Sequence, residues 1–338
     1  MSRQVILAGL GLLLILIMAG IAVLNQPATV AGPDMARLTN AGRLKLALLK
    51  LIVRMLEAVT ARFGRYPRAG AATVERHVVP TSFGPARIDM YRPATMAGSR
   101  LPVHFHLHGG GFVVGGLKAD APWCNYLSNQ AGCVVINIDY VLAPRDTFPA
   151  PVMQSHEVIE WVACHADDLG IDPERLSVGG ESAGANLSIA VALLALERQS
   201  FGLRGVVACV PVLDLDSDPH TKSISTERKQ DLTVATMEQV NDVYLPKYLD
   251  RRNPLASPIF SNQLAKLPEV FIVSAELDAA YSDAAAFDAR LRKENARFRH
   301  LTIRGADHLF LHKGRFEHVV KAWEAMAGAV KQVQQGGG

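Results

Sequence analysis

The stretch RLSVGGESAGANLSIAVALLALERQ, residues 175–199, runs from a short apolar segment through Gly180-Glu181-Ser182-Ala183-Gly184 into a long helical pattern. RLSVGG reads as a buried strand and SAGANLSIAVALLALERQ as a helix. A G-x-S-x-G sequence at a strand-to-helix junction is the form taken by a nucleophile elbow, a tight turn that lifts a serine hydroxyl above a sheet. Two requirements follow. The flanking chain must build such a sheet, and it must supply the partners that a serine needs.

The first requirement is met by alternation. Upstream, ATVERHVVP and ARIDMYRP read as strands around a turn at Ser82–Gly84, and LPVHFHLH as a short apolar strand. ADAPWCNYLSNQAG follows as a helix closed by Gly132, then CVVINIDYV as a strand. VMQSHEVIEWVACHADDLG is a helix with Pro151 near its start and Gly170 past its end. Downstream come GVVACVPVL, EVFIVSA and RFRHLTI as strands, with helices over YSDAAAFDARLRKEN and from the last strand through Val330. This order predicts an α/β fold with a mainly parallel sheet covered by helices on both faces. The segment from Asp214 to Ser257 breaks the rhythm. It is polar, contains the helical stretch VATMEQVNDVYLPKYL, and is too long for a bare loop, so it reads as a lid.

A serine hydroxyl is a weak nucleophile and needs a base that is itself oriented by an acid. In this fold the partners follow the serine in the order acid, then histidine. Asp278 stands just past EVFIVSA and His308 just past RFRHLTI, both where loops converge at the carboxyl edge of an open sheet. Asp283, Asp288 and Asp307 are the competing carboxylates; His300 and His312 are the competing histidines.

The stretch HFHLHGGGF, residues 104–112, raises a separate choice. Its three alternating histidines share a strand face, which suggests a metal site. His104 and His108 are ~13 Å apart along a strand, however, and zinc ligands must lie about 2.1 Å from one ion. The glycines fit better, as a loop whose backbone N–H groups face a developing oxyanion.

Composition sets the remaining bounds. A net charge of +3 over 338 residues is too small to imply nucleic acid. The segment from Asp34 to Arg68 holds eight basic residues against Asp34 and Glu57, and its apolar spacing is that of basic amphipathic helices. Cys124, Cys133, Cys164 and Cys209 have neither zinc spacing nor a dense disulfide framework; they read as reduced packing cysteines, with a Cys124–Cys133 bridge as the alternative in an oxidising compartment. The uncharged run Val5–Leu24 is long enough, at ~1.5 Å per residue, to span a hydrocarbon core of about 30 Å. It predicts an uncleaved single-pass membrane anchor rather than a cleaved signal, with the side of the membrane unassigned.

Taken together, HGGGF at 108–112, DYVLAPRDTFPAP at 139–151, IDPERLSVGGESAGANL at 171–187, NPLASPIF at 253–260 and ADHLF at 306–310 resemble the hormone-sensitive-lipase branch of the α/β-hydrolase superfamily, the group of many bacterial carboxylesterases. The resemblance spans about residues 73–325. It implies an eight-stranded α/β-hydrolase domain over 70–332, with a cap insertion at about 214–252 and basic helices at 34–68 completing the cap. Outside the resemblance, residues 1–25 are read as a membrane anchor or signal segment and 333–338 as a flexible tail. The resemblance implies Ser182 as nucleophile, Asp278 as orienting acid, His308 as general base, and Gly110, Gly111 and Ala183 as the oxyanion hole. The activity implied is serine carboxylesterase or lipase action on short- to medium-chain acyl esters, without metal or cofactor. The alternatives are the same machinery acting on an amide, formamide or lactone, or a ligand-binding protein on the hydrolase scaffold. The implied partners are a small or lipid-like ester, the membrane through the N-terminal segment, a second copy in a homodimer, and no nucleic acid. Three features depart from the family pattern: Asp278 is followed by Ala-Ala-Tyr-Ser-Asp rather than Pro-Leu and an acidic residue, Arg145 replaces a usual glutamate, and the N-terminal membrane segment is an addition that most bacterial relatives lack.

Overall fold

The computed structural model describes residues 66–94, 100–222, 230–245 and 251–336. An eight-stranded sheet forms the centre, in the order β1-β2-β4-β3-β5-β6-β7-β8. Its strands are β1 (Thr73–Val79), β2 (Ala86–Arg92), β3 (Leu101–Leu107), β4 (Val134–Asp139), β5 (Ile171–Glu181), β6 (Gly205–Cys209), β7 (Glu269–Ala275) and β8 (Phe298–Ile303). β2 runs antiparallel to both neighbours, and every other pairing is parallel. The mainly parallel sheet expected from the alternating pattern is therefore present.

Side-chain alternation along the strands builds two cores. Val103, Phe105 and Leu107 of β3 and Val206 and Ala208 of β6 point to one face. There they meet α2 (Ala150–Cys164), α3 (Ala183–Arg198) and α6 (Tyr281–Lys293) through residues such as Val158, Leu187 and Phe287. Val135 of β4 and Val207 and Cys209 of β6 point to the other face. There α1 (Ala121–Ala131) and α8 (Phe316–Gln335) pack through Trp123, Leu127, Trp323 and Met326. Strands buried on both sides are apolar at nearly every position, which is why GVVACVP shows no period of two.

Among the element ends that differ from expectation, two helix ends have clear local reasons. α2 stops at Cys164, where the His165 ring donates from Nδ1 to the Trp161 carbonyl (2.7 Å) and Gly170 closes a following turn at positive φ. α8 continues past Val330 to Gln335, because Val333 packs on Gly205 and Gln334 donates to Ser177 Oγ at 3.0 Å. Cys124 and Cys133 are buried free thiols.

The expectation of a transmembrane helix and a membrane-anchored chain is corrected here. Among the described residues no helix is long and apolar enough to cross a membrane. The longest described helix, α8, carries Glu317, Lys321, Glu324 and Lys331 opposite its apolar stripe, the pattern of a helix that buries one face on a sheet. The run Val5–Leu24 and the basic segment 34–65 lie outside the described residues.

Within the 214–252 insertion, α4 (Pro219–Lys222) and α5 (Val234–Tyr244) are described. Thr233 caps α5 by accepting from the Thr236 N–H. Lys222 fixes the insertion's root. Its buried ammonium pairs with Asp283 Oδ2 at 2.9 Å and donates to the Asp214 carbonyl, while Asp283 also accepts the N–H groups of Leu213 and Asp214. Removing one partner of such a pair strands a buried charge, at about 3–5 kcal/mol. Asp283→Ala should lower unfolding stability in urea by about 3 kcal/mol or more. A loss below about 1 kcal/mol would show that the pair does not bear on the fold.

Candidate active site

β3 and β5 pair in parallel with Leu107 opposite Gly180, so the segments that leave the two strands start side by side. One is the H-G-G-G loop and the other is the elbow. At the elbow Ser182 adopts φ 54° and ψ −114°, a backbone region that non-glycine residues rarely occupy. The turn is held by the Ser182 N–H donating to the Cys209 carbonyl at 2.9 Å. Its sharpness explains the motif's glycines. A Cβ on Gly184 would lie 1.9 Å from the Leu107 carbonyl oxygen, and one on Gly180 would lie 2.3 Å from it.

The serine hydroxyl meets the ring of His308, with Oγ 2.8 Å from Nε2. Nδ1 of the same ring lies 2.7 Å from Asp278 Oδ2. The other carboxylate oxygen of Asp278 accepts the Ala280 N–H at 2.9 Å, which fixes the carboxylate plane. Asp278 and His308 are both buried. Burial disfavours the imidazolium, but the charge and hydrogen bond of Asp278 outweigh it, aided by Glu181 and Asp307. The His308 pKa is therefore held above its ordinary 6.5.

The competing residues are placed elsewhere. Asp307 accepts the backbone N–H groups of His308 and Asp231, not an imidazole proton. Asp288 pairs with Arg292 and with His300, whose other ring nitrogen meets Ser274 Oγ. Asp283 belongs to the Lys222 clamp. His312 meets the Glu181 carboxylate at 2.9 Å. The unusual tail of the acid motif thus leaves Asp278 in place.

The H-G-G-G loop lies against the elbow: a Cβ on Gly109 would be 3.8 Å from Ser182 Cβ. Gly110 has φ 116°, and its carbonyl accepts from the N–H groups of both Val113 and Val114. A Cβ there would strike the Val114 carbonyl oxygen at 2.1 Å, so only glycine fits the turn. His108 braces this loop. Its ring stacks on Tyr140 with centroids 4.2 Å apart, and Tyr140 donates its hydroxyl to the His108 carbonyl at 2.7 Å. His104 meets Ser177, and its pKa is lowered by burial to about 3. His106 meets Asp120. The three histidines of HFHLH thus have three separate partners.

The model of the α/β-hydrolase fold matches residues 104–312. The chain belongs to the α/β-hydrolase fold family. An esterase of Gibberella moniliformis is 32% identical over 221 residues, spanning 63% of this chain and 68% of that one. An arylesterase of Saccharolobus solfataricus is 33% identical over 227 residues, spanning 66% and 72%. A solved esterase of Pyrobaculum calidifontis superposes at TM-score 0.79 with 29% identity, over 85% of this chain and 92% of that one. This places the hydrolase in the carboxylesterase branch that the HGGGF and GESAG segments resemble.

Sequence reasoning missed the polar residues packed beside the elbow of this hydrolase, where His106, Asp120, Glu181 and His312 pair. One signal was available: Glu181 is fixed next to Ser182 by the motif itself, and an apolar strand carrying two buried histidines must supply them with partners. The elbow geometry gives a direct test. Gly184→Ala should cost at least about 1–3 kcal/mol, the range for overpacking a filled core. Unchanged urea stability in that variant would contradict the close passage of the Leu107 carbonyl.

Proposed function

We propose that this α/β hydrolase cleaves carboxylic esters through a serine acyl-enzyme, with Ser182 as nucleophile, His308 as general base and Asp278 as orienting acid. The observation that carries the reading is the continuous contact from Ser182 Oγ to His308 Nε2 (2.8 Å) and from His308 Nδ1 to Asp278 Oδ2 (2.7 Å). Names of esterase and arylesterase among its relatives support the same bond class.

In the first step His308 takes the Ser182 proton as Oγ attacks the ester carbonyl. Asp278 stabilises the imidazolium without taking its proton. The oxyanion is received by the N–H groups of Gly110, Gly111 and Ala183, the last at the N-terminus of α3, where the first N–H groups have no helical partner. His308 then gives the proton to the departing alcohol, and water repeats the sequence to free the acid. The 214–252 insertion acts as the cap. Support comes from α5, whose Val240 lies over Gly111 and whose Tyr244 ring stacks on Phe112 at 3.8 Å. Apolar walls this close to the loop favour acyl chains of short to medium length.

Ser182→Ala should cut turnover of p-nitrophenyl butyrate on the order of 10⁶-fold in a protein with unchanged circular dichroism. It should also abolish labelling by a fluorophosphonate probe. Undiminished turnover would remove Ser182 from the mechanism.

The pH dependence follows from His308, which must be neutral to accept the proton. Because its pKa is held above 6.5, kcat/KM should rise with pH along an acid limb centred above that value. Asp278→Asn should move the limb to lower pH and reduce kcat by about 10⁴-fold. A limb that stays in place in the variant would exclude the Asp278–His308 contact as its cause.

A further inference from the structure

One group of buried ionisable side chains takes no part in the mechanism above. Asp120 stands at the N-cap of α1, Glu181 is the last residue of β5, and His312 lies in α7 (Phe310–Lys313). Three separate segments thus converge beside the elbow. Asp120, Glu181 and His312 each offer a ligand atom, and these atoms lie within 4.8 Å of one another.

Two observations point to a ligand there. The first is charge. Asp120 and Glu181 are each 5% exposed, and among the described residues their ion-pair partners are histidines, not Lys or Arg. Buried carboxylates persist when paired with cations or when they coordinate metal.

The second observation is an unfilled coordination space. The three residues border a cavity of about 30 Å³, room for an ion and a water. His106 borders it too. It is 3% exposed, its Nε2 is taken by Asp120 at 2.8 Å, and its Nδ1 has no partner among the described residues.

We propose that Asp120, Glu181 and His312 form a binding site for a divalent ion of the zinc class, with His106 supporting Asp120 from behind. The donor set is two carboxylate oxygens and one imidazole nitrogen. That mixture suits zinc, whereas calcium takes six or more oxygens and magnesium keeps most of its water. Ligand atoms around a tetrahedral zinc with bonds near 2.1 Å stand about 3.4 Å apart. The His312–Glu181 contacts of 2.9 and 3.0 Å need to open by only a few tenths of an ångström. The hydrogen bond from His106 to Asp120 is the outer support that ligating carboxylates generally have. The fourth position faces the cavity and would hold water. This site is separate from the His308–Asp278 pair, and its occupancy does not depend on the proposed ester chemistry.

The test is direct zinc binding by the full chain, first stripped with a chelator and then titrated with ZnCl₂ against a chromophoric indicator. One tight equivalent is expected, together with a higher thermal midpoint. His312→Gln and Asp120→Asn should each weaken binding at least about tenfold, and His106→Gln by about 10–100-fold. His308→Gln and His220→Gln should leave it unchanged. Absence of a tight equivalent overturns the proposal. So does binding that survives both His312→Gln and Asp120→Asn, or binding lost only in His308→Gln. Circular dichroism accompanies each variant. His312 is 29% exposed at its side chain and tolerates a polar replacement, so it decides the matter if Asp120→Asn does not fold.

Discussion

The passage of the Leu107 carbonyl past the elbow glycines is the constraint on which the site depends. β3 and β5 are adjacent and in register at Leu107 and Gly180. Their C-terminal ends therefore release the H-G-G-G loop and the elbow at one level of the sheet. A Cβ at Gly180 or Gly184 would lie 2.3 or 1.9 Å from the Leu107 carbonyl oxygen, so the strand or the helix would have to shift to admit it. The sheet thus sets how the loop and the elbow lie against each other, and in the proposed mechanism this holds the loop's N–H groups in place before any substrate arrives. Such donors are worth most when they need no reorganisation during the reaction.

That arrangement has a cost, and the surrounding contacts offset it. Ser182 sits at φ 54° because several bonds over-determine it: its N–H donates to Cys209, and its carbonyl accepts from Asn186 in the first turn of α3. The Asn186 side chain in turn donates to the carbonyls of Val212 and Ala256, tying the helix to both ends of the insertion. On the histidine side, the N–H of Leu277 donates to the Ala306 carbonyl, joining the loop of Asp278 to the loop of His308. Ser182, Asp278 and His308 thus each follow a different strand end tied down by backbone hydrogen bonds, and the side chains inherit that rigidity.

Much of this was legible in the sequence, and the reasons are physical. The sheet could be read because strands buried on both faces leave dense apolar runs, and because glycine and proline mark the helix ends. Ser182, Asp278 and His308 could be singled out because the elbow's geometry demands glycine at fixed offsets, and because open α/β sheets gather their chemistry at strand ends in chain order. Pairings between distant residues could not be read. The Lys222–Asp283 clamp joins positions 61 apart, and His312–Glu181 joins positions 131 apart. No local periodicity encodes either. His300 and His312 were ambiguous for the same reason: a histidine's role depends on its neighbour, which the chain supplies from elsewhere. The membrane expectation failed differently. It rested on hydropathy at the N-terminus alone, and among the described residues no helix is long and apolar enough to cross a membrane.

The insertion shows why fold and chemistry are better specified here than specificity. Its α5 meets the oxyanion loop at two adjacent residues, through Val240 above Gly111 and Tyr244 on Phe112, and the Tyr244 carbonyl accepts the Phe148 N–H at 3.0 Å. On the opposite side Gln230 donates to the Leu277 carbonyl, and Asp231 bonds Asp307 and pairs with Lys313. The insertion therefore touches the loops of Gly111, Asp278 and His308 at once. Displacing α5 would remove an apolar wall and also loosen the turn that aims the loop's N–H groups. In the proposed mechanism substrate shape and transition-state support are therefore coupled through the same few contacts, and side chains of α5 that never touch the reacting atoms would bear on which acyl chain is turned over.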